Sequence, residues 1–124
     1  MTPPVGPLPI LALVRDLLFA SKITATAGSL GTCVQLVRDP AKLAEHAGNR
    51  LIVDLNLAGA IEAAQAWKGV TGGEIVGFVS HVDTATIDRA RAAGVDRVLA
   101  RSRFVELLPQ LLAGDRPQVE RASE

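Results

Sequence analysis

The chain has 124 residues, enough for one domain with a sizeable core. Apolar residues are 48% of it but aromatics only 3%, so the core must be aliphatic. Thirteen basic residues offset thirteen acidic ones, which leaves no global field to steer the protein to nucleic acid or to an anionic membrane.

Residues 1–9 carry four prolines and no basic residue, and read as a flexible leader rather than a secretory signal. Residues 10–14 form a first apolar strand, far too short to span a bilayer. Residues 16–30 follow as a helix, with Leu17, Leu18, Ala20, Ile23, Ala27 and Leu30 at helical spacing and Gly31 as the stop. A second strand spans residues 32–37 and contains Cys33, the only cysteine. It excludes an internal disulfide and reads as a small buried apolar side chain. With no metal-type Cys/His spacing, the chain suits a reducing cytoplasm.

Asp39-Pro40 is a helix start, with the carboxylate at the cap and proline in the first turn, and a short helix is predicted over residues 42–47, closed by Gly48. The run Leu51-Ile52-Val53-Asp54-Leu55-Asn56-Leu57 is the third strand, and its unbroken apolar start marks burial on both faces. Residues 60–68 form a helix ended by Gly69. The Thr71-Gly72-Gly73 loop leads to a fourth strand over residues 75–80. Asp83 and Thr84 are candidate caps for a helix running to Ala93. Residues 96–100 are the fifth strand, and residues 104–112 the last helix, kinked at Pro109. The polar, aperiodic residues 114–124 read as a disordered tail. The folded domain is thus residues 10–113.

Five successive βα units imply an α/β, flavodoxin-like, doubly wound three-layer sandwich, with five parallel strands in the order 2-1-3-4-5. In such sheets the working site lies at the carboxyl ends of the strands, at the switch point between the first and third. Asp16 and Asp54 follow those two strands. Asp54 alone reads first as a helix cap or a loop-ordering residue, but its juxtaposition with Asp16 points to a site.

From residue 10 to residue 112 the chain resembles the receiver domain of two-component response regulators. Val53-Asp54-Leu55-Asn56-Leu57-Ala58-Gly59 is similar to the segment around the phospho-accepting aspartate. Val76-Gly77-Phe78-Val79-Ser80-His81 resembles the fourth strand with its Ser/Thr switch, and Ala92-Ala93-Gly94-Val95-Asp96 resembles the turn before the fifth strand. The resemblance implies that Asp54 is the phosphoryl acceptor and that Ser80 bonds the phosphoryl group. It implies that Asp16, Asp54 and the Asn56 carbonyl are the ligands should magnesium bind; no other cofactor is expected. Arg15 stands where the family has a second acidic residue, Arg101 where it has lysine, Ser102 and Ala58 where it has prolines, and Val98 where an aromatic switch is common.

An arginine beside Asp54 would replace a metal's charge from within the protein, so Arg15 or Arg101 is expected within salt-bridge distance of Asp54. The leading expectation is an atypical receiver, a pseudo-receiver. It would be a stand-alone, non-enzymatic module acting through protein contacts in a phosphorelay, with a histidine kinase or downstream signalling protein as partner. A normally phosphorylated single-domain regulator is the alternative, and a small-molecule binder using the same crevice is the second. A weak homodimer is expected through the face carrying Arg89, Arg97 and Arg103 beside Asp88, Asp96 and Glu106. His81 and His46 read as loop and surface histidines, and Trp67 as helix packing.

Overall fold

A computed structural model describes residues 8–80 and 83–113. The expected leader, apart from its last two residues, the tail and His81 lie outside the described residues. Strands β1 (Ile10–Leu13), β2 (Val34–Val37), β3 (Arg50–Asp54), β4 (Glu74–Val79) and β5 (Arg97–Ala100) form one sheet in the order β2-β1-β3-β4-β5, every neighbouring pair parallel. This is the doubly wound order the sequence predicts.

The central strands are fully covered, because their alternate side chains feed two separate cores. Leu11, Leu13, Leu51, Val53 and Ile75 face one layer. That layer is built by α2 (Ala60–Thr71), α3 (Thr84–Ala92) and the 3₁₀ segment Pro40–Glu45, which supply Ala64, Trp67, Ala90 and Leu43. Ile10, Ala12, Ile52, Val76 and Phe78 face the other. There α1 (Leu17–Leu30) and α4 (Arg101–Leu112) supply Phe19, Ile23, Phe104 and Leu108. Each large side chain buried in these layers contributes on the order of 1.5–3 kcal/mol.

Several local expectations are corrected. The helix expected at residues 42–47 is a single 3₁₀ segment over Pro40–Glu45, capped by Asp39 Oδ1 on the Ala41 N–H at 3.0 Å. The chain has too little length for an α-helix there, since it must return to the sheet. Asn49 N–H already donates to the Pro9 carbonyl at 3.1 Å, and Gly48 lies so close to Leu11 that a Cβ would meet Leu11 Cγ at 2.7 Å. Cys33 is exposed rather than buried, because the second strand starts one residue after it, at Val34. β3 ends at Asp54, and the residues that continue its apolar pattern to Leu57 instead form a turn, in which the Leu57 N–H donates to the Asp54 carbonyl at 3.2 Å. The helix α2 runs through Gly69 to Thr71, and α4 begins at Arg101, three residues early. That early start matters for the site. Trp67 is buried as read, whereas His46 is half-buried.

Candidate functional site

Asp16, Asp54, Ser80 and Arg101 all lie at the carboxyl ends of the strands, as the order of the sheet requires. Asp54 is the last residue of β3, in register with Phe78 on β4. By alternation it projects to the same side as Ile52, toward the layer of α1 and α4. The floor of that layer is aromatic. Phe19, Phe78 and Phe104, all the phenylalanines of the chain, pack with ring centroids 4.6 to 5.6 Å apart. Such pairs are worth about 0.5–1.5 kcal/mol each beyond their burial.

Arg101 sits on this floor. Its guanidinium carbon lies 4.4 Å from the centroid of the Phe19 ring, and its Nη2 reaches Asp16 Oδ2 at 3.4 Å. Asp16 is the N-cap of α1, and its Oδ1 accepts the backbone N–H of Leu18 at 2.9 Å and of Phe19 at 3.3 Å. Both carboxylate oxygens of Asp16 are therefore engaged. The Phe19 amide foremost, then the Leu18 amide and Arg101, outweigh the opposing desolvation and hold its pKa below the ordinary value.

Asp54 is half-buried and its carboxyl is shifted the other way. Burial raises its pKa. The Asn56 amide, donating to Oδ1 at 3.0 Å, and the charge of Arg101 oppose that rise, and the charge of Asp16 adds to it. Two carboxylates at one switch point thus have divergent environments.

The structure corrects the expected pairing. Among the described residues no arginine is ion-paired to Asp54; the pair is Arg101 with Asp16. Arg101 starts a helix beside the helix capped by Asp16, so the early start of α4 brings it to Asp16. Arg15 is exposed and lines a cleft with Arg38, Asp39 and Pro40. The Asn56 side chain makes a contact of its own: its Oδ1 accepts the Ser80 N–H at 2.6 Å. That link ties the turn after β3 to the end of β4, and no sequence pattern announces it. The Ser80 hydroxyl makes no bond to Asp54 among the described residues. Val98 is half-buried against the core layer of α2.

On the other face singled out by its mixed charge, Arg103 pairs with Glu106 at 3.0 Å, Arg89 with Glu62 at 3.0 Å, and Asp96 with Lys68 at 2.6 Å. Only Arg97 and Asp88 of that set have no ion pair among the described residues.

Magnesium fits this donor set poorly. Magnesium keeps several waters and needs one or two carboxylates free to join them in a near-octahedral shell. Here Asp16 has already given one oxygen to a helix cap and the other to a cation. Among the described residues no three acidic, histidine or cysteine side chains are grouped to hold a metal.

No protein-family model matches the chain, and no curated protein matches it. Solved structures do. A two-component response regulator from Clostridium difficile superposes with a TM-score of 0.75 at 16% identity, over 90% of this chain and 98% of that one. A CheY-like response regulator receiver domain protein from Methanospirillum hungatei gives 0.73 at 14% identity, over 88% and 96%. A response regulator from Burkholderia pseudomallei, solved with a phosphorylated aspartic acid, calcium ion and citrate, gives 0.72 at 18% identity, over 93% and 73%.

The fold is that of a receiver domain. At these identities the likeness establishes the architecture, and the receiver fold accounts for the switch-point placement of Asp16 and Asp54. No helix among the described residues is long and apolar enough to cross a membrane.

Proposed function

We propose that this chain is a receiver-like signalling module that works through protein contacts, with its aspartate pocket neutralised from within rather than by a metal and a phosphoryl group. The observation that carries this reading is the double engagement of Asp16: one oxygen caps α1, and the other meets an Arg101 that is itself seated on Phe19. Phosphoryl transfer to a carboxylate requires the charge on the incoming oxygens to be offset, usually by a divalent ion. To admit that ion here, Arg101 must leave both its anion and its aromatic ring. A guanidinium is also a planar fork, not the compact charge of a lysine. The module would be a non-enzymatic relay whose partner is a histidine kinase or a downstream signalling protein.

Incubation with acetyl phosphate and magnesium, followed by intact-mass measurement, tests the reading. The expected result is an unmodified chain, with ordinary receivers modified in parallel. A stable phosphoryl adduct on Asp54 overturns it.

That adduct would support a second reading, the phosphorylated single-domain regulator. One observation favours it: among the described residues, Asp54 accepts a hydrogen bond on one oxygen only and keeps the other without a protein partner. The Burkholderia neighbour carries a phosphorylated aspartic acid on the same fold.

A further inference from the structure

We propose that the cleft between Arg15 and Arg38 binds the phosphate group of a small phosphorylated molecule. The site lies at the carboxyl ends of β1 and β2, includes neither Asp16 nor Arg101 in its lining, and does not rest on the proposed function.

The placement follows from the sheet. β1 and β2 run parallel, with Leu13 beside Val37, and the ladder continues one step further as the Val14 N–H donates to the Val37 carbonyl at 3.2 Å. Arg38 directly follows β2 and Arg15 stands two residues beyond β1, both at the carboxyl ends of these strands. Both are exposed, and both line one cavity of about 390 Å³ together with Asp39 and Pro40.

Neither arginine makes an ion pair among the described residues, whereas Arg50, Lys68, Arg89, Arg101 and Arg103 each do. The acid that shares the cleft is not ion-paired with them. Asp39 Oδ1 is turned to the Ala41 N–H, and no bond joins Asp39 to either guanidinium. Two like charges that line one cleft favour a bound oxyanion between them. Guanidinium forks match the planar edges of a phosphate, and such charge-assisted bonds are about twice as strong as neutral ones. The cleft is open to solvent, which leaves room for the group the phosphate is attached to. The second oxygen of Asp39 suits a hydroxyl donor on that group, as on a sugar phosphate.

The test is a titration of the full chain with inorganic phosphate and with ribose 5-phosphate at constant ionic strength, read from arginine side-chain N–H resonances. Saturating shifts at Arg15 and Arg38 are expected, with ribose 5-phosphate the tighter. Arg15→Gln and Arg38→Gln should each weaken binding by about tenfold, the loss of one charge-assisted contact. Arg97→Gln, another exposed arginine without an ion pair, should leave it unchanged. Thermal melts confirm that each variant is folded. Linear, unsaturable shifts at every exposed arginine overturn the proposal, as does equal weakening by Arg97→Gln, or a response confined to Arg101. A phosphoryl adduct on Asp54 would instead sink the proposed function and leave this site standing.

Discussion

Leu55 lies directly over Gly77: a Cβ on Gly77 would stand 2.7 Å from Leu55 Cδ1 and 2.8 Å from its Cγ. Leu55 is the residue after Asp54, and its N–H donates to the Phe78 carbonyl at 3.0 Å. The bare backbone of β4 therefore seats the turn that carries the candidate acceptor.

Gly77→Ala should for that reason lower stability and disturb the site together. Leu55 is 3% exposed and has nowhere to retreat, so the overpacking cost should be about 1–3 kcal/mol. Chemical denaturation measures the cost, and the amide resonances of residues 54–57 should move more than those at the far end of the sheet. An unchanged midpoint would mean that the Leu55 side chain repacks freely.

Arg101→Ala removes a cation–π contact and a partly exposed ion pair, for an expected loss of about 1 kcal/mol. For a domain of this size that is a drop of about 4 °C in Tm. Arg101→Lys should recover part of it, since lysine keeps the charge but not the planar stacking. If the proposed function holds, Arg101→Ala should also gain measurable magnesium affinity, because Asp16 Oδ2 is released. Calorimetry on the two variants reads both effects.

Asp54→Asn should stabilise the protein at neutral pH. The folded carboxyl has a raised pKa, chiefly through burial, so its charged form is disfavoured in the fold and costs stability above the folded pKa. Asparagine keeps the acceptor for the Asn56 N–H and removes the charge. The advantage of the variant should shrink as pH falls through the folded pKa, which lies above the ordinary 3.8, and should vanish once both states of the wild type are protonated. Asp16 behaves in the opposite sense. Its depressed pKa supplies stability above the unfolded value, lost as pH falls through the folded one. Melting curves for the wild type and Asp54→Asn between pH 3 and 7 separate the two.

The sheet order was legible because the runs at residues 10–14, 51–53 and 75–79 are apolar, as in strands covered on both faces, and alternate with helical segments. The meeting of Asp16 and Asp54 followed from that order alone. The identity of the arginine's partner did not, because it depends on where α4 starts. Arg101-Ser102-Arg103 carries no apolar spacing to show that the helix already includes it. The 3₁₀ segment was misread for a similar reason: Asp39-Pro40 signals a start faithfully, but the short return path past Gly48 is a tertiary constraint. Cys33 sits in a β-branched run, yet its exposure depends on pairing that begins only at Val34.

Asn56 offers the sharpest separation of structural and electrostatic roles. Its Oδ1 holds the Ser80 N–H, and its own N–H holds Asp54 Oδ1, so one residue links the turn after β3 to both the acid and the end of β4. Asn56→Ala deletes only the side-chain link and should cost about 0.5–1.5 kcal/mol. Asn56→Asp keeps an acceptor for Ser80 at neutral pH but sets a second carboxylate beside Asp54. Like charge disfavours ionisation, so the Asp54 pKa should rise further in Asn56→Asp. It should stay near the wild-type value in Asn56→Ala, whose backbone N–H still donates. Carboxyl carbon shifts followed through a pH titration give the two values directly. If Asn56→Ala displaced the Asp54 titration as far as Asn56→Asp, the side chain would be setting the position of the acid rather than bracing the loop beside it.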